Sequence, residues 1–450
     1  MSPVNQKKLK MKMRSIFLSI LLITFALSTE GQTILGLKDC IGIGLERNFS
    51  IKVANNNEIV SDNNYTIGNA GYLPSLDLTG RYNGTRNATI TTATDGTQTN
   101  SSAINAASAN AGVTLGWTIF NGFSVHTTYK KLNELKQLGE LNTQLAVENL
   151  ITDLVASYYT YIQQVQMMHT LEYAVSLSKE RLRIDEERYL LRSGSKMQVL
   201  QSKVYLNNDS SRLSKQIEVV RAAQIRLNEL MAAEDLGARF LTTDTSVTVN
   251  QQLIYEKLLD ETLGKNTSLV IASKNRTISE YDYKIVPSRT YPYFNLTTGY
   301  SSNLAMYSTG NNKSLMTNGL NYGVTMGFNI FDGFNQRRSI SNSAIDVKNK
   351  ELKYLELEQG IKADLITLYS AYSNNLRLIK LEEQNLQTAA ENLDIALERY
   401  KLGSLAGIDL REVQKSLLDA RERLLLIEAQ AKFGEISLLL ISGNIMSYYQ

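Results

Sequence analysis

Proline is nearly absent: in 450 residues only Pro3, Pro74, Pro287 and Pro292 carry the ring. Between Ser75 and Val286, and again after Tyr293, no proline interrupts a helix, so long unbroken helices are permitted there. Cysteine is represented by Cys40 alone, which excludes an intramolecular disulfide in any compartment. The two histidines, His126 and His169, sit in predicted helices with no second ligand or nucleophile at useful spacing, and no glycine-rich phosphate loop links a strand to a helix. The chain therefore reads as no enzyme, with no cofactor and no metal. Long apolar runs are missing too. Ser15–Leu27, thirteen residues behind Lys12 and Arg14, falls short of the ~20 needed to span a bilayer and has the layout of a secretory signal. Removing residues 1–31 takes away Lys7, Lys8, Lys10, Lys12, Arg14 and Glu30 and moves the net charge from +3 to about −1. That balance argues against nucleic acid as a partner.

What the chain does have is itself, twice. Gly112–Phe123 reads GVTLGWTIFNGF, and 211 residues later Gly323–Phe334 reads GVTMGFNIFDGF. Glu187-Arg188-Tyr189 returns as Glu398-Arg399-Tyr400 at the same offset. Upstream, at an offset of 218, Asn48, Ala54, Tyr65 and Pro74 recur as Asn266, Ala272, Tyr283 and Pro292. A duplication holding register this far implies two copies of one architecture. The expected organisation is a signal at 1–31, a first repeat at 32–243 with strands about 75–86 and 112–121, and a second at 244–450 with strands about 293–303 and 322–332.

Each repeat reads helix, strand, strand, long helix, turn, returning helix. Leu37–Ala70 lacks proline and reads as helical, and Ala88–Ala111 reads as a polar tract between the strands. The strands alternate with period two: Val113, Leu115, Trp117 and Ile119 against Thr114, Gly116 and Thr118; Val324, Met326, Phe328 and Ile330 against Thr325, Gly327 and Asn329. Such alternation also suits a half-buried strand of a soluble sheet. Here, however, one face collects Tyr82, Trp117, Phe294, Tyr300, Phe328 and leucines, and the other Thr, Ser, Asn and Gly, the pattern of a wall between lipid and water. Phe120, Phe123, Phe331 and Phe334 suit an aromatic girdle. Four strands cannot close a membrane barrel, which begins at about eight, so closure requires other subunits; three give twelve strands and room for a pore.

From Ser124 the period becomes seven: Val147, Leu154, Tyr161, Met168, Val175, Leu182 and Tyr189 form one column, and Leu365, Tyr372, Ile379, Leu386, Leu393 and Tyr400 another. Sustained heptads imply coiled-coil packing. Ser124–Tyr189 as one helix would be ~100 Å long, with a return from Gln198 to about Leu236.

Signal, proline before a strand, W-x-I-F-N-G-F opening a long helix, R-Y-x-x-G at a turn, and duplication of the whole resemble the TolC-type outer membrane factor family. The resemblance covers residues 32–450. It implies a homotrimer: a twelve-stranded barrel in the bacterial outer membrane continued by a helical barrel across the periplasm. That fold is mainly α with a β-barrel segment completed by trimerisation. Its implied role is a passive exit duct for efflux or type I secretion, working with a periplasmic adaptor (membrane fusion) protein and an inner-membrane transporter of RND, ABC or MFS type. The turns at Arg188, Tyr189 and Arg399, Tyr400, Gly403 would form a tip that closes like an iris, with Asp409 and Glu412 ringing the constriction. The chain departs from the pattern where Arg192 replaces the first-repeat glycine, Gln198 an acidic residue and Leu405 a basic one, so contacts of the gate must be rebuilt, through Arg192 or Lys196. The alternative from another class is a secreted coiled-coil structural or adhesive protein without a pore.

Overall fold

The structure, a computed structural model, describes residues 33–308 and 313–449; the expected signal at 1–31 lies outside the described residues. In chain order come β1 (Thr33–Leu35), α1 (Leu37–Arg47), α2 (Phe49–Asn64), α3 (Ile67–Ala70), β2 (Ser75–Thr92), β3 (Gln98–Asn121), α4 (Ser124–Leu190) and α5 (Lys196–Leu230). After β4 (Phe240–Thr242) the order repeats as α6 (Tyr255–Lys265), α7 (Thr267–Ile285), β5 (Tyr293–Tyr307), β6 (Ser314–Gly327), α8 (Asn335–Lys401) and α9 (Gly407–Ile441). Both long helices have 67 residues and both returning helices 35, so the duplication extends to element lengths.

The single helix expected over Leu37–Ala70 is three. Asn48 leaves helical geometry at ψ 130°, and its side-chain amide donates to the Leu230 carbonyl at 2.9 Å. Its repeat partner Asn266 stands at the same joint, between α6 and α7, and accepts from the Leu269 amide at 3.0 Å. Asparagine offers the backbone an alternative bond, and both repeats use it to turn a corner that contains no proline. The return helix also stops earlier than expected, at Leu230, because Ala232 turns to φ 49°.

The described residues divide into two compact units, and each draws on both repeats: one from residues 33–49, Val147–Asp260 and 365–449, the other from the described residues of Ser50–Ala146 and Glu261–Asp364. The second unit holds a four-stranded antiparallel sheet ordered β2-β3-β5-β6. Strands β2 and β3 run beyond the expected limits and take up most of the polar tract, pairing from Ser75↔Gly116 out to Thr92↔Gln98. The turn is made by Asp95-Gly96: Gly96 has φ 83°, and the Asp95 carboxylate accepts from the Thr97 amide at 2.9 Å. Conversely β6 stops at Gly327, so Phe328 and Ile330 lie past the strand rather than in it. The reason lies in its partner: β5 begins at Tyr293, directly after Pro292, so Tyr293↔Gly327 is the last rung, and the missing side chain of Gly327 leaves room for the Tyr293 ring.

In the first unit the heptad columns supply the core. Leu154 and Tyr161 are buried, and Leu365, Tyr372, Leu438 and Leu258 pack as one cluster. A second cluster joins Leu177, Ile184, Leu393, Ala396, Tyr400, Leu410 and Leu417 from α4, α8 and α9. Burying each large apolar side chain stabilises by roughly 1.5–3 kcal/mol. The absent side chain of Gly44 lets α1 lie on Leu154, whose Cδ1 is 2.6 Å from where a Cβ would stand. A short parallel pair, β1 with β4, was not foreseen; the crossing between repeats there is held by Tyr158 donating to Asp244 at 2.9 Å.

Candidate functional site

Two helical turns carry the residues that the sequence singles out. Helix α4 ends at Leu190, and the Arg188 carbonyl accepts from the amides of Ser193 (2.8 Å) and Gly194 (3.0 Å). Arg192 supplies the left-handed residue at φ 59°, a conformation that glycine usually fills. Ser195 then caps α5 in a reciprocal box with Gln198. In the second turn Gly403 takes φ 81° and Ser404 bonds back to Arg399 at 2.9 Å. Ala406, at the N-cap of α9, has no side-chain oxygen to offer; Asp409 stands in the first turn and complements the helix dipole.

Behind the turns, two buried carboxylates tie the hairpin of α4 and α5 to that of α8 and α9. Asp185 on α4 accepts from the hydroxyls of Tyr400 on α8 and Ser202 on α5. Asp209 on α5, 1% exposed, accepts from Ser178 on α4 at 2.5 Å and from both terminal nitrogens of Arg411 on α9, at 2.8 and 2.9 Å. Each carboxylate therefore joins three helices. Arg181, also buried, lies with its guanidinium 4.8 Å from the Tyr205 ring centre and 5.9 Å from that of Tyr400; its Nη2 rests where a side chain on Gly407 would stand. Arg188 covers the other side of Tyr400, 4.6 Å from the ring centre, and donates to the Tyr400 carbonyl. Burial, and after it the hydrogen bond to Asp185, pushes the Tyr400 hydroxyl up to about 12, so it stays a protonated donor at neutral pH. The bidentate bond to Asp209 likewise raises Arg411 above the ordinary arginine range.

The residues named from sequence divide in two. Tyr400 and Arg188 lie inside this network. Arg192, Lys196, Arg399, Asp409 and Glu412 are exposed and make no ion pair among the described residues. Tyr189, the repeat partner of Tyr400, is 47% exposed where Tyr400 is 1%. Sequence reasoning missed Asp185, Asp209 and Arg411, which look like surface charges of an amphipathic helix. The signal lay in the repeat: at the offset of 211, Asp185 and Asp209 correspond to Ala396 and Ala420, and Ser178 and Ser202 to Ala389 and Val413.

In the sheet, the register sorts the side chains. Leu76↔Leu115, Leu78↔Val113, Val113↔Tyr300, Trp117↔Leu296, Phe294↔Met326, Leu296↔Val324 and Tyr300↔Leu320 are opposed pairs, and opposed residues share a face. Tyr82, opposite Ala109, is on this same face. The other face carries Ser75, Asp77, Thr79, Arg81, Thr114, Asn295, Thr297, Asn321 and Thr325. The register slips at two places: between Asn87 and Thr89 in the β2–β3 ladder, and between Thr118 and Phe120 in the β3–β5 ladder, where Phe120 rather than Ile119 stands opposite Phe294. Trp117 donates its indole N–H to the Tyr72 carbonyl at 2.9 Å. No described helix is long and apolar enough to cross a membrane, and no described cluster of His, Cys, Asp and Glu is fit to hold a metal ion.

A curled sheet, apolar on one face and lined with hydroxyls and amides on the other, leading into paired coiled-coil hairpins, defines a β-barrel wall with a helical-barrel extension. The chain belongs to the outer membrane efflux protein family, whose sequence profile matches residues 41–233 and 258–444. Among solved structures it is similar to a membrane protein from Pseudomonas aeruginosa (TM-score 0.76, 14% identity, 90% of this chain and 93% of that one covered). It is also similar to the outer membrane protein VceC from Vibrio cholerae (0.71, 15%, 90% and 96%), and to the CmeC outer membrane channel of Campylobacter jejuni (0.70, 15%, 91% and 85%). At these identities the likeness is one of fold. No curated protein matches the sequence. Family membership places the chain among outer membrane efflux channels with a long periplasmic helical extension and sets aside the secreted coiled-coil alternative.

Proposed function

We propose that three chains assemble into one passive export duct, the outer-membrane component of a tripartite efflux or type I secretion system. The observation that supports this most directly is the sheet: β2 and β6 are its edges, each with one side unpaired, and an open edge is not tolerated in lipid. Three sheets of four strands close into twelve with an interior of threonine, serine and asparagine, which passes many solutes and selects few. The turns Arg188–Gln198 and Arg399–Asp409 are the docking region for a periplasmic adaptor, through which an inner-membrane transporter supplies the energy. The exposed, unpaired Asp409 and Glu412, three residues apart on α9, would give six carboxylates around the closed tip, a ring that draws cations.

Mass measurement in detergent should give three copies, and a stable monomer would defeat the architecture. Single-channel recordings of Asp409→Ala with Glu412→Ala should then show weaker cation selectivity than the parent. Unchanged selectivity would mean that these carboxylates serve only the helix terminus.

A further inference from the structure

We infer that the outer end of the sheet carries a binding site for a phosphorylated lipid of the outer leaflet, centred on Arg86. The inference rests on the outer-membrane placement of the sheet and not on the trimer or the tip. Strands β3 and β6 lead into the long helices, so the β2–β3 turn, Thr92–Gln98, lies at the end of the sheet away from the periplasm. On the apolar face of β2 the residues run Leu76, Leu78, Gly80, Tyr82, Gly84 and Arg86. Arg86 is the one charged side chain that the register of the four described strands places on that face. It makes no ion pair among the described residues.

Its level is set by counting rungs. Gly84 pairs with Ala107 and Ala107 with Met306, twelve residues along β5 from Phe294 at the inner rim. At about 3.4 Å per residue and a tilt of about 40°, that rung stands roughly 30 Å above Phe294, against an apolar band about 25 Å tall. Arg86 is two residues further out, about 35 Å above Phe294 by the same count. It is therefore at the headgroups, where a guanidinium meets phosphate in paired, charge-assisted bonds.

Beside it the surface is hollowed into a trough of about 480 Å³, lined by Tyr82, Gly84, Arg86, Asn105, Ala107 and Met306 among others. Gly84 and Ala107 make the floor, because neither projects far from the sheet. Tyr82 and Met306 make the walls, an aromatic ring with a polar tip on one side and a pliable thioether on the other. Charge above and an apolar channel below fit a lipid with a phosphorylated headgroup and an acyl chain. A neutral lipid would leave Arg86 unused.

Native mass spectrometry of the intact protein, equilibrated with diphosphoryl lipid A, tests the assignment. The parent should retain the lipid, Arg86→Gln should weaken retention about tenfold, and lipid A stripped of its phosphates should bind both equally poorly. Arg81→Gln, on the opposite face, should bind as the parent does. Equal retention by Arg86→Gln and parent overturns the site, as does an equal loss in Arg81→Gln. Phosphatidylglycerol competing as well as diphosphoryl lipid A overturns the commitment to an outer-leaflet lipid. The same spectra count the chains per particle, so loss of lipid is read apart from loss of the trimer.

Discussion

Tyr189 and Tyr400 are the same residue of a duplicated motif, yet only Tyr400 is buried against a carboxylate. The difference comes from what each meets, and it makes Tyr400 and Arg411 unequal in consequence. Tyr400→Phe removes one of the two hydroxyls that Asp185 accepts from and leaves Ser202 in place. A hydrogen bond to a charged group is worth about 1.5–3 kcal/mol. Arg411→Ala strips Asp209 of its only ion pair among the described residues while that carboxylate stays buried, and breaking a buried pair costs about 3–5 kcal/mol. Hydrogen exchange at the amides of both turns should therefore accelerate in both variants, more in Arg411→Ala. Parent-like protection in either would show that its bond carries no stability. The pH dependence has a definite sign. Tyr400 is raised from its ordinary 10.0 to about 12, so its contribution is complete below pH 10 and is lost as pH rises through about 12. Acidification to the physiological range leaves that bond intact.

The junctions between strand and helix show what a repeated sequence does and does not determine. Gly122-Phe123 and Gly333-Phe334 each place two consecutive residues in the left-handed region, with φ between 64° and 69°. Asn121 and Asp332 then cap the long helices by accepting from Val125 and Gln336. From sequence the two junctions are equivalent. In the structure a side chain on Gly122 would collide with the Ser288 carbonyl, whereas the space at Gly333 is open, its nearest neighbour being Asn335 at 3.8 Å. Both alanine substitutions incur the left-handed penalty of about 1–2 kcal/mol; Gly122→Ala adds a backbone clash. Thermal unfolding should show Gly122→Ala clearly below Gly333→Ala, and equal melting would remove the close approach as its cause. The same reasoning explains what could be read in advance. Alternation and heptads depend on one residue after another, so the strands and the 67-residue helices were legible. The corner at Asn48, the end of β6 at Gly327 and the Asp185 and Asp209 crosslinks depend on residues distant in sequence, and periodicity does not record those. The Asp95-Gly96 turn was a local signal, overlooked because the tract around it is polar throughout.

At the scale of the whole molecule, the asymmetry between repeats assigns different chemistry to the two kinds of seam at the tip. Within a chain, second-repeat Tyr400 and Arg411 meet first-repeat Asp185 and Asp209. In the proposed trimer the pseudo-symmetry makes the next seam the same contact one step on: first-repeat Tyr189 and Leu200 against the neighbouring copy's equivalents of Asp185 and Asp209, which are Ala396 and Ala420. Tyr189 and Leu200 are 47% and 54% exposed in the single chain, as residues awaiting a neighbour would be. That seam has no carboxylate to hold it. The tip should accordingly open between copies, each chain's two hairpins moving together. Paired cysteines distinguish the seams, and Cys40, fully buried, does not interfere. Joined by a reducible bis-maleimide long enough to replace the tyrosine side chain, Tyr189→Cys with Ala396→Cys should link chains covalently on a non-reducing gel and hold conductance low until reductant is added. The same reagent on Asp185→Cys with Tyr400→Cys should bridge within one chain, in place of the hydroxyl–carboxylate contact, and leave opening intact. A within-chain bridge that also blocks conduction would mean that the hairpins of one chain must part for the duct to open, and the weak seam would then lie inside the protomer.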